Sequence, residues 1–189
     1  MNIILPSISM RLEPRETSSL ETECLYGEKV EILKEYSEWA YCKLCTDNYL
    51  GWVRKNGIGK SMKPTHRVNS NRTFIYTDKD PKSVSIGYLP MGSRLEIRKV
   101  EKHWSEILLP ENYVLKSAYL PTKHIVKLEN KSVNWVESAE QLIETPYKWG
   151  GRNSMGIDCS ALLQLSYFSY GEIIPRNTID QINLNKKII

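Results

Sequence analysis

Cys159 has the surroundings that a nucleophilic cysteine needs. Two glycine signals precede it, Gly150-Gly151 and Gly156. An apolar run with helical spacing follows, Leu162, Leu165 and Phe168 with Ala161 and Leu163 beside them. This order predicts a turn, a second turn and a helix. Asp158 is a favoured N-cap type, so Cys159 falls on the first helical position, where unpaired N–H groups and the helix dipole favour a thiolate over a thiol. The alternative is a small apolar residue opening a buried helix.

Amide hydrolysis by a thiolate also calls for a histidine to assist it and protonate the leaving amine, and for a group that orients the histidine. Thirty residues follow Cys159 and none is histidine. His66, His103 and His124 all precede it, and solvated or structural roles suit each better. Turnover and binding without turnover therefore both stay open.

The elements before the cysteine must position it. In SVNWVESAEQLIET, Ser132 can cap a helix of about three turns, with Val133, Val136, Ala139, Leu142 and Ile143 on one face, that stops before Thr145-Pro146. That face is expected to pack on the helix of Cys159. The stretch from Gly171 to Pro175 reads as a loop or short strand, and the end, INLNKKII, as a run-out without a stop signal.

Farther upstream the chain repeats itself. Residues 27–44 and 92–109 align at a constant offset, matching Gly27 with Gly92, Ile32 with Ile97, Trp39 with Trp104 and Leu44 with Leu109. Both copies alternate apolar residues in short runs between Gly, Pro, Asp and Asn, which predicts small antiparallel barrels. The barrels are placed at 1–62 and 65–128, joined by SMKPTH, with 130–189 as the segment that carries the cysteine. Trp39 and Trp104 are expected in the barrel cores, while Tyr49 and Trp52 stay open between core and surface.

Composition sets outer bounds. A hydrophobic share of 41% with 25% charged residues fits one to three small domains. No stretch approaches the roughly twenty apolar residues of a membrane span, so no membrane partner is expected. The net charge of +4 is spread among the acids without a basic block, which argues against a nucleic-acid partner. The apolar start breaks at Pro6 with no basic segment before it, making a poor secretory signal and favouring a bacterial cytoplasmic setting. Cys42 and Cys45 form a C-x-x-C, but strand alternation points them to opposite faces. They read as structural thiols, and no metal or cofactor is expected.

The pattern Pro146-Tyr147-x-Trp149-Gly150-Gly151, Gly156-x-Asp158-Cys159-Ser160, Gly171 and Pro175-Arg176-x-Thr178-x-x-Gln181 resembles the active-site opening of the NlpC-type bacterial cell-wall cysteine peptidases. Ala161 departs from the glycine usual there, at the cost of one methyl. The first repeat, with GEKVEIL, EWAYCKL and DNYLGWV, resembles the bacterial SH3-like domains that accompany such peptidases.

The resemblance implies an α+β chain of two SH3-like barrels followed by the N-terminal helical half of a papain-like domain. It implies a truncated catalytic segment, whose apolar face is covered by the barrels, by self-association or by a missing C-terminal half. It further implies hydrolysis of a γ-D-glutamyl to diamino-acid bond in a murein peptide, with Cys159 attacking the carbonyl and its own backbone N–H stabilising the oxyanion. Asp158, Thr178 and Tyr49 are the positions implied for the substrate's free N-terminal amine, as on L-Ala, with Ser160 beside them. Asp158 is equally explained as a plain cap. Tyr147 either positions the nucleophile or packs under the glycine turn.

Overall fold

The computed structural model describes residues 1–60, 62–131 and 134–185. Among the described residues the chain is α+β, with antiparallel strands mainly in the first two thirds and three α-helices in the last. The first unit contains β1 (Asn2–Ile3), β2 (Ser7–Arg11), β3 (Leu20–Leu25), β4 (Val30–Tyr36), β5 (Trp39–Leu44), β6 (Leu50–Arg54) and β7 (Ile58–Gly59). Five of them form a sheet in the order β3-β2-β6-β5-β4, and β1 pairs with β7. Inward positions of this alternation, among them Met10, Ala40, Cys42, Leu44 and Val53, form one core.

The second unit contains β8 (His66–Val68), β9 (Arg72–Tyr76), β10 (Ser85–Pro90), β11 (Arg94–Leu95), β12 (Ile97–Val100), β13 (Trp104–Leu108), β14 (Ser117–Pro121) and β15 (Ile125–Lys127). The internal repeat is written into its geometry. The β4–β5 ladder slips between Ile32 and Lys34, and the β12–β13 ladder slips at the equivalent residues, Ile97 and Lys99. Each copy also turns through a short 3-10 segment after the strand that follows, at Lys55–Gly57 and at Thr122–His124.

The two tryptophans part ways. Trp104 departs from expectation: it is half-buried on the outer face, edge-on to Tyr76 at 5.7 Å and 89°, because Ser105 and Ile107 take the inward positions of β13. Trp39 is buried as expected, with the Arg54 guanidinium 4.6 Å from its ring. Tyr49 packs partly against that core, while Trp52 lies on the sheet surface beside Tyr41.

The two units interlock at a turn. Tyr26 contributes its side chain to the core of the second unit, and its carbonyl accepts from Arg94 N. Gly27 adopts φ +76°, and a Cβ there would stand 1.9 Å from the Arg94 carbonyl oxygen. Only glycine satisfies both constraints.

The remaining elements are α1 (Trp135–Glu140), β16 (Arg152–Asn153), β17 (Gly156–Ile157), α2 (Cys159–Tyr170) and α3 (Thr178–Asn185). Helix α1 is shorter than expected. Ser132 and Val133 lie outside the described residues; Asn134 caps α1 by accepting from Val136 N. After Glu140 the bonds become three-residue turns that lead to Glu144 at φ +66°. Leu142 is buried, whereas Ile143 is exposed because the turn rotates it off the predicted face; Val136 is exposed because α1 buries Ser138 instead. Of the predicted run-out, residues 182–185 belong to α3, which Gln181 ties to α2 through the carbonyls of Ser160 and Pro175; residues 186–189 lie outside the described residues.

The apolar face of α2 is shielded in large part by the barrels. Leu25 and Met91, one from each unit, join Leu142, Ile157, Ala161 and Leu165 in a third core. Leu163, Ile179 and Ile182 stay exposed.

A buried ionic joint fixes this packing. Arg152 and Glu28, each 1% exposed, pair through two bonds of 2.8 and 3.0 Å. Leu25 N and Thr46 Oγ1 also donate to Glu28. Beside them Glu23 accepts from Arg152 N, Asn153 and Lys148. Removing one partner leaves a charge stranded from water. Glu28→Gln is expected to lower the unfolding free energy by about 3–5 kcal/mol, read as a lower urea midpoint at unchanged slope. A loss below about 1 kcal/mol would mean that the joint does not hold the interface.

Candidate active site

The start of α2 faces a cavity of about 250 Å³. Tyr49, Tyr147, Asp158, Cys159, Ser160 and Thr178, which the sequence reading singled out, all line it. Four further residues complete the wall: Glu21, Trp149, Arg176 and Asn177. Glu21 and Tyr49 belong to the first barrel, so the cavity lies at the seam between that barrel and the α2 segment.

The cysteine reaches its position through the two turns before it. Gly150 adopts φ +70°, and a Cβ there would meet the Leu20 carbonyl oxygen at 2.7 Å, so only glycine lets the turn lie against β3. The hairpin of β16 and β17 then returns the chain to Asp158. Cys159 is the first residue of α2 and is exposed, with its Sγ 3.8 Å from Thr178 Oγ1. The other thiols differ. Burial pushes the Cys42 thiol up to about 11, and burial followed by the Glu28 charge raises that of Cys24. Cys45 is exposed while Cys42 is buried in the first core, which separates the two residues of the C-x-x-C.

Asp158 does more than cap. Its Oδ1 accepts from Ala161 N at 2.8 Å, from Ser160 Oγ at 3.2 Å and from Arg176 Nη1 at 3.0 Å. Its Oδ2 accepts from Gly150 N at 3.0 Å and Arg176 Nη2 at 2.6 Å. Burial by itself raises this carboxyl, but hydrogen bonds from Arg176, Ala161 N and Ser160, with the Arg176 charge, hold it below its ordinary value. Asp158 therefore caps α2 and pairs with Arg176, and the same residue lines the cavity. Ser160 is engaged in the same way, its hydroxyl donating to Asp158 and accepting from Arg176 Nη1 at 2.6 Å.

An uncommitted carboxylate lies across the cavity. Glu21 accepts from Tyr49 Oη at 3.4 Å and forms no ion pair among the described residues. The same hydroxyl lies 3.3 Å from Asn177 Oδ1, its one hydrogen shared between the two acceptors, and burial followed by the Glu21 charge raises the phenol. Tyr147 does not pack under the glycine turn; it and Trp149 are about two-thirds exposed, as aromatic walls beside the sulfur. Arg176 carried a motif signal without a role. Glu21 carried no signal, since nothing in its local sequence separates it from other strand residues.

His66 and His124 bond to the threonine hydroxyls of Thr65 and Thr73 in the second barrel, and none of the three histidines lines the cavity. Burial lowers the imidazoles of His66 and His124.

The depressed Asp158 carboxyl has a pH signature. Its contribution to stability is fully present above the unfolded value of about 4 and is lost as pH falls through the lower folded value. Asp158→Asn is expected to cost about 2 kcal/mol at neutral pH. The gap from wild type should close as denaturation is followed below about pH 4. A gap independent of pH would show that the ion pair with Arg176 contributes nothing.

Comparison with known proteins gives this geometry its context. Residues 10–58 match the family described as the bacterial dipeptidyl-peptidase Sh3 domain, and residues 144–189 match the NlpC/P60 family. A gamma-D-glutamyl-L-lysine dipeptidyl-peptidase of Bacillus subtilis (strain 168) is 24% identical over 89% of this chain. The match spans 60% of that relative's length. Dipeptidyl-peptidase 6 of Lysinibacillus sphaericus is 28% identical over 94% of this chain and 72% of its own. The crystal structure of an NlpC/P60 family protein from Bacillus cereus ATCC 10987 superposes with a TM-score of 0.81 at 16% identity, covering 95% of this chain and 75% of that one. That likeness establishes a shared fold. The cysteine at the start of a capped helix thus lies inside the segment that matches the NlpC/P60 family, and the unit that matches the bacterial Sh3 domain walls its cavity.

Proposed function

We propose that the chain acts on short murein peptides with a free N-terminus and cleaves the γ-D-glutamyl bond to the diamino acid. The observation that carries this is the shared wall of the cysteine cavity, where Glu21 and Tyr49 of the first barrel line the same space as Cys159. Glu21 is a carboxylate without a cation partner among the described residues, and an N-terminal ammonium supplies one. Tyr49 and Asn177 complete a polar ring, and Tyr147 and Trp149 flank the path to the sulfur. The names of the Bacillus subtilis and Lysinibacillus sphaericus relatives, both dipeptidyl-peptidases, support release of a two-residue unit.

In this reading Cys159 Sγ attacks the γ-carbonyl of D-glutamate. The backbone N–H of Cys159, unpaired at the first position of α2, supports the oxyanion. The C–N bond breaks as the amine of the diamino acid takes a proton from solvent water, and a second water then hydrolyses the thioester to the free γ-carboxylate and the Cys159 thiol. Asp158 and Arg176 take no part in proton transfer, since each holds the other; they keep the helix start rigid.

The position of the histidines favours a second reading, binding without turnover. His66, His103 and His124 lie outside the cavity, so the residues around Cys159 include no imidazole to protonate the leaving amine.

One set of measurements separates the two. L-Ala-γ-D-Glu-diaminopimelate is titrated into the chain, and release of L-Ala-γ-D-Glu is followed by mass spectrometry. Saturable binding is expected, weakened about tenfold or more by Glu21→Gln and abolished by acetylating the peptide's amine. Turnover that disappears in Cys159→Ala supports the peptidase, and binding without product supports the second reading. Equal binding of the acetylated peptide would overturn both.

A further inference from the structure

A second cleft, of about 240 Å³, opens at the other end of α2, where the second barrel meets the helix. Phe168 on its wall is nine residues beyond Cys159, roughly 14 Å along the helix axis, and the two cavities share no lining residue. Its lining consists of Arg67, Arg94, Leu128, Phe168, Gly171 and Ile173. It holds two cations and three apolar side chains, and no acid.

The cations are unusual in their partners. Arg67 is 2% exposed and donates only to neutral carbonyls: to Lys127 at 3.2 Å, Leu128 at 3.0 Å, Asn130 at 2.6 Å and Ser169 at 2.7 Å. Those four bonds leave its Nε–H, which is buried and without a partner. Arg94 lies over the Phe168 ring at 5.1 Å, and its Nε–H is likewise buried and unpartnered. Its guanidinium makes no hydrogen bond or ion pair with any described side chain. Burial draws both guanidiniums below the ordinary arginine value, and the Arg94 charge adds to this at Arg67.

The acids that act on Arg94 from a distance, Glu28 and Asp47, are committed elsewhere. Glu28 is held by Arg152, Thr46 and Leu25 N, and Asp47 by Gln164 and Tyr49 N. Arg67 is a charge withdrawn from water without a counter-charge, which is costly, and half-buried Arg94 beside it has none either. An oxyanion beside them removes that cost, and a guanidinium fork is shaped to take a carboxylate through two parallel bonds. Leu128, Phe168 and Ile173 supply a wall that a bare inorganic anion does not use.

We propose that this cleft is a binding site for a small organic carboxylate, its head on the Arg94 guanidinium in the positive field of Arg67 and its tail against Leu128, Phe168 and Ile173. The site is independent of the cysteine cavity and stands whether or not that cavity turns over a peptide.

The probes are 3-methylbutanoate, its neutral amide 3-methylbutanamide, and inorganic phosphate, each titrated into the full chain by calorimetry and by amide NMR. The carboxylate is expected to bind at one saturable site and to shift the Gly171 amide but not that of Cys159. The amide and phosphate should bind at least about tenfold more weakly. Arg94→Gln should weaken the carboxylate by a similar factor, while Cys159→Ala leaves it unchanged. Ile173→Glu alters an exposed rim position and tests the site even if the arginine variant fails to fold; it should also weaken binding about tenfold by placing an acid beside the head group. Equal binding of acid and amide, equal binding by Ile173→Glu, or no saturable binding would overturn the proposal. Phosphate binding as tight as the carboxylate would overturn the organic ligand class.

Discussion

The structure depends on a carboxylate and a guanidinium that meet where no water reaches. Arg152 sits on the short hairpin before the cysteine, and Glu28 on the turn between two strands of the first barrel. More than a hundred residues separate them in sequence. Such a pair adds little net stability, because desolvation offsets much of the attraction. What it supplies is position: each charge is tolerable only when the other is in place, so misaligned packings of barrel and hairpin are excluded. Glu23, which accepts from the Arg152 and Asn153 positions of the same hairpin, sets the register along β3.

From that joint the site follows in steps. The hairpin hands the chain to Asp158, whose five hydrogen bonds fix the first turn of α2, and Arg176 closes the arrangement from beyond the helix. The sulfur of Cys159 is left exposed on a start that cannot fray. The first barrel supplies the opposite wall. A substrate therefore meets residues from three stretches of chain, two of which touch only because the ionic joint holds them together.

The distribution of charge explains which residues are available. Among the acids near the cysteine, Asp158 pairs with Arg176 and Glu23 with Lys148, while Glu21 has no cation partner among the described residues. At the far end of α2 the balance is reversed, with two arginines and no acid on the cleft wall. One helix thus separates a cavity with a spare anion from a cleft with spare cations.

The sequence by itself determined what is local. The glycine turns, the aspartate cap and the helix of Cys159 are set by φ and by hydrogen bonds within a few residues, so their signals are contiguous. The offset repeat determined two barrels of like design, down to matching ladder slips at Ile32 and Ile97. Trp104 shows the limit: alternation fixes which side chains share a face, and packing decides which face is inward. Only the tertiary structure decided that Asp158 pairs with Arg176 and that Glu21 enters the cavity. It alone decided that α3 forms, through Gln181, and that α1 stops early at a left-handed Glu144. The reason is physical: these outcomes turn on partners far away in sequence, and electrostatic pairing leaves no periodicity in the chain that bears it.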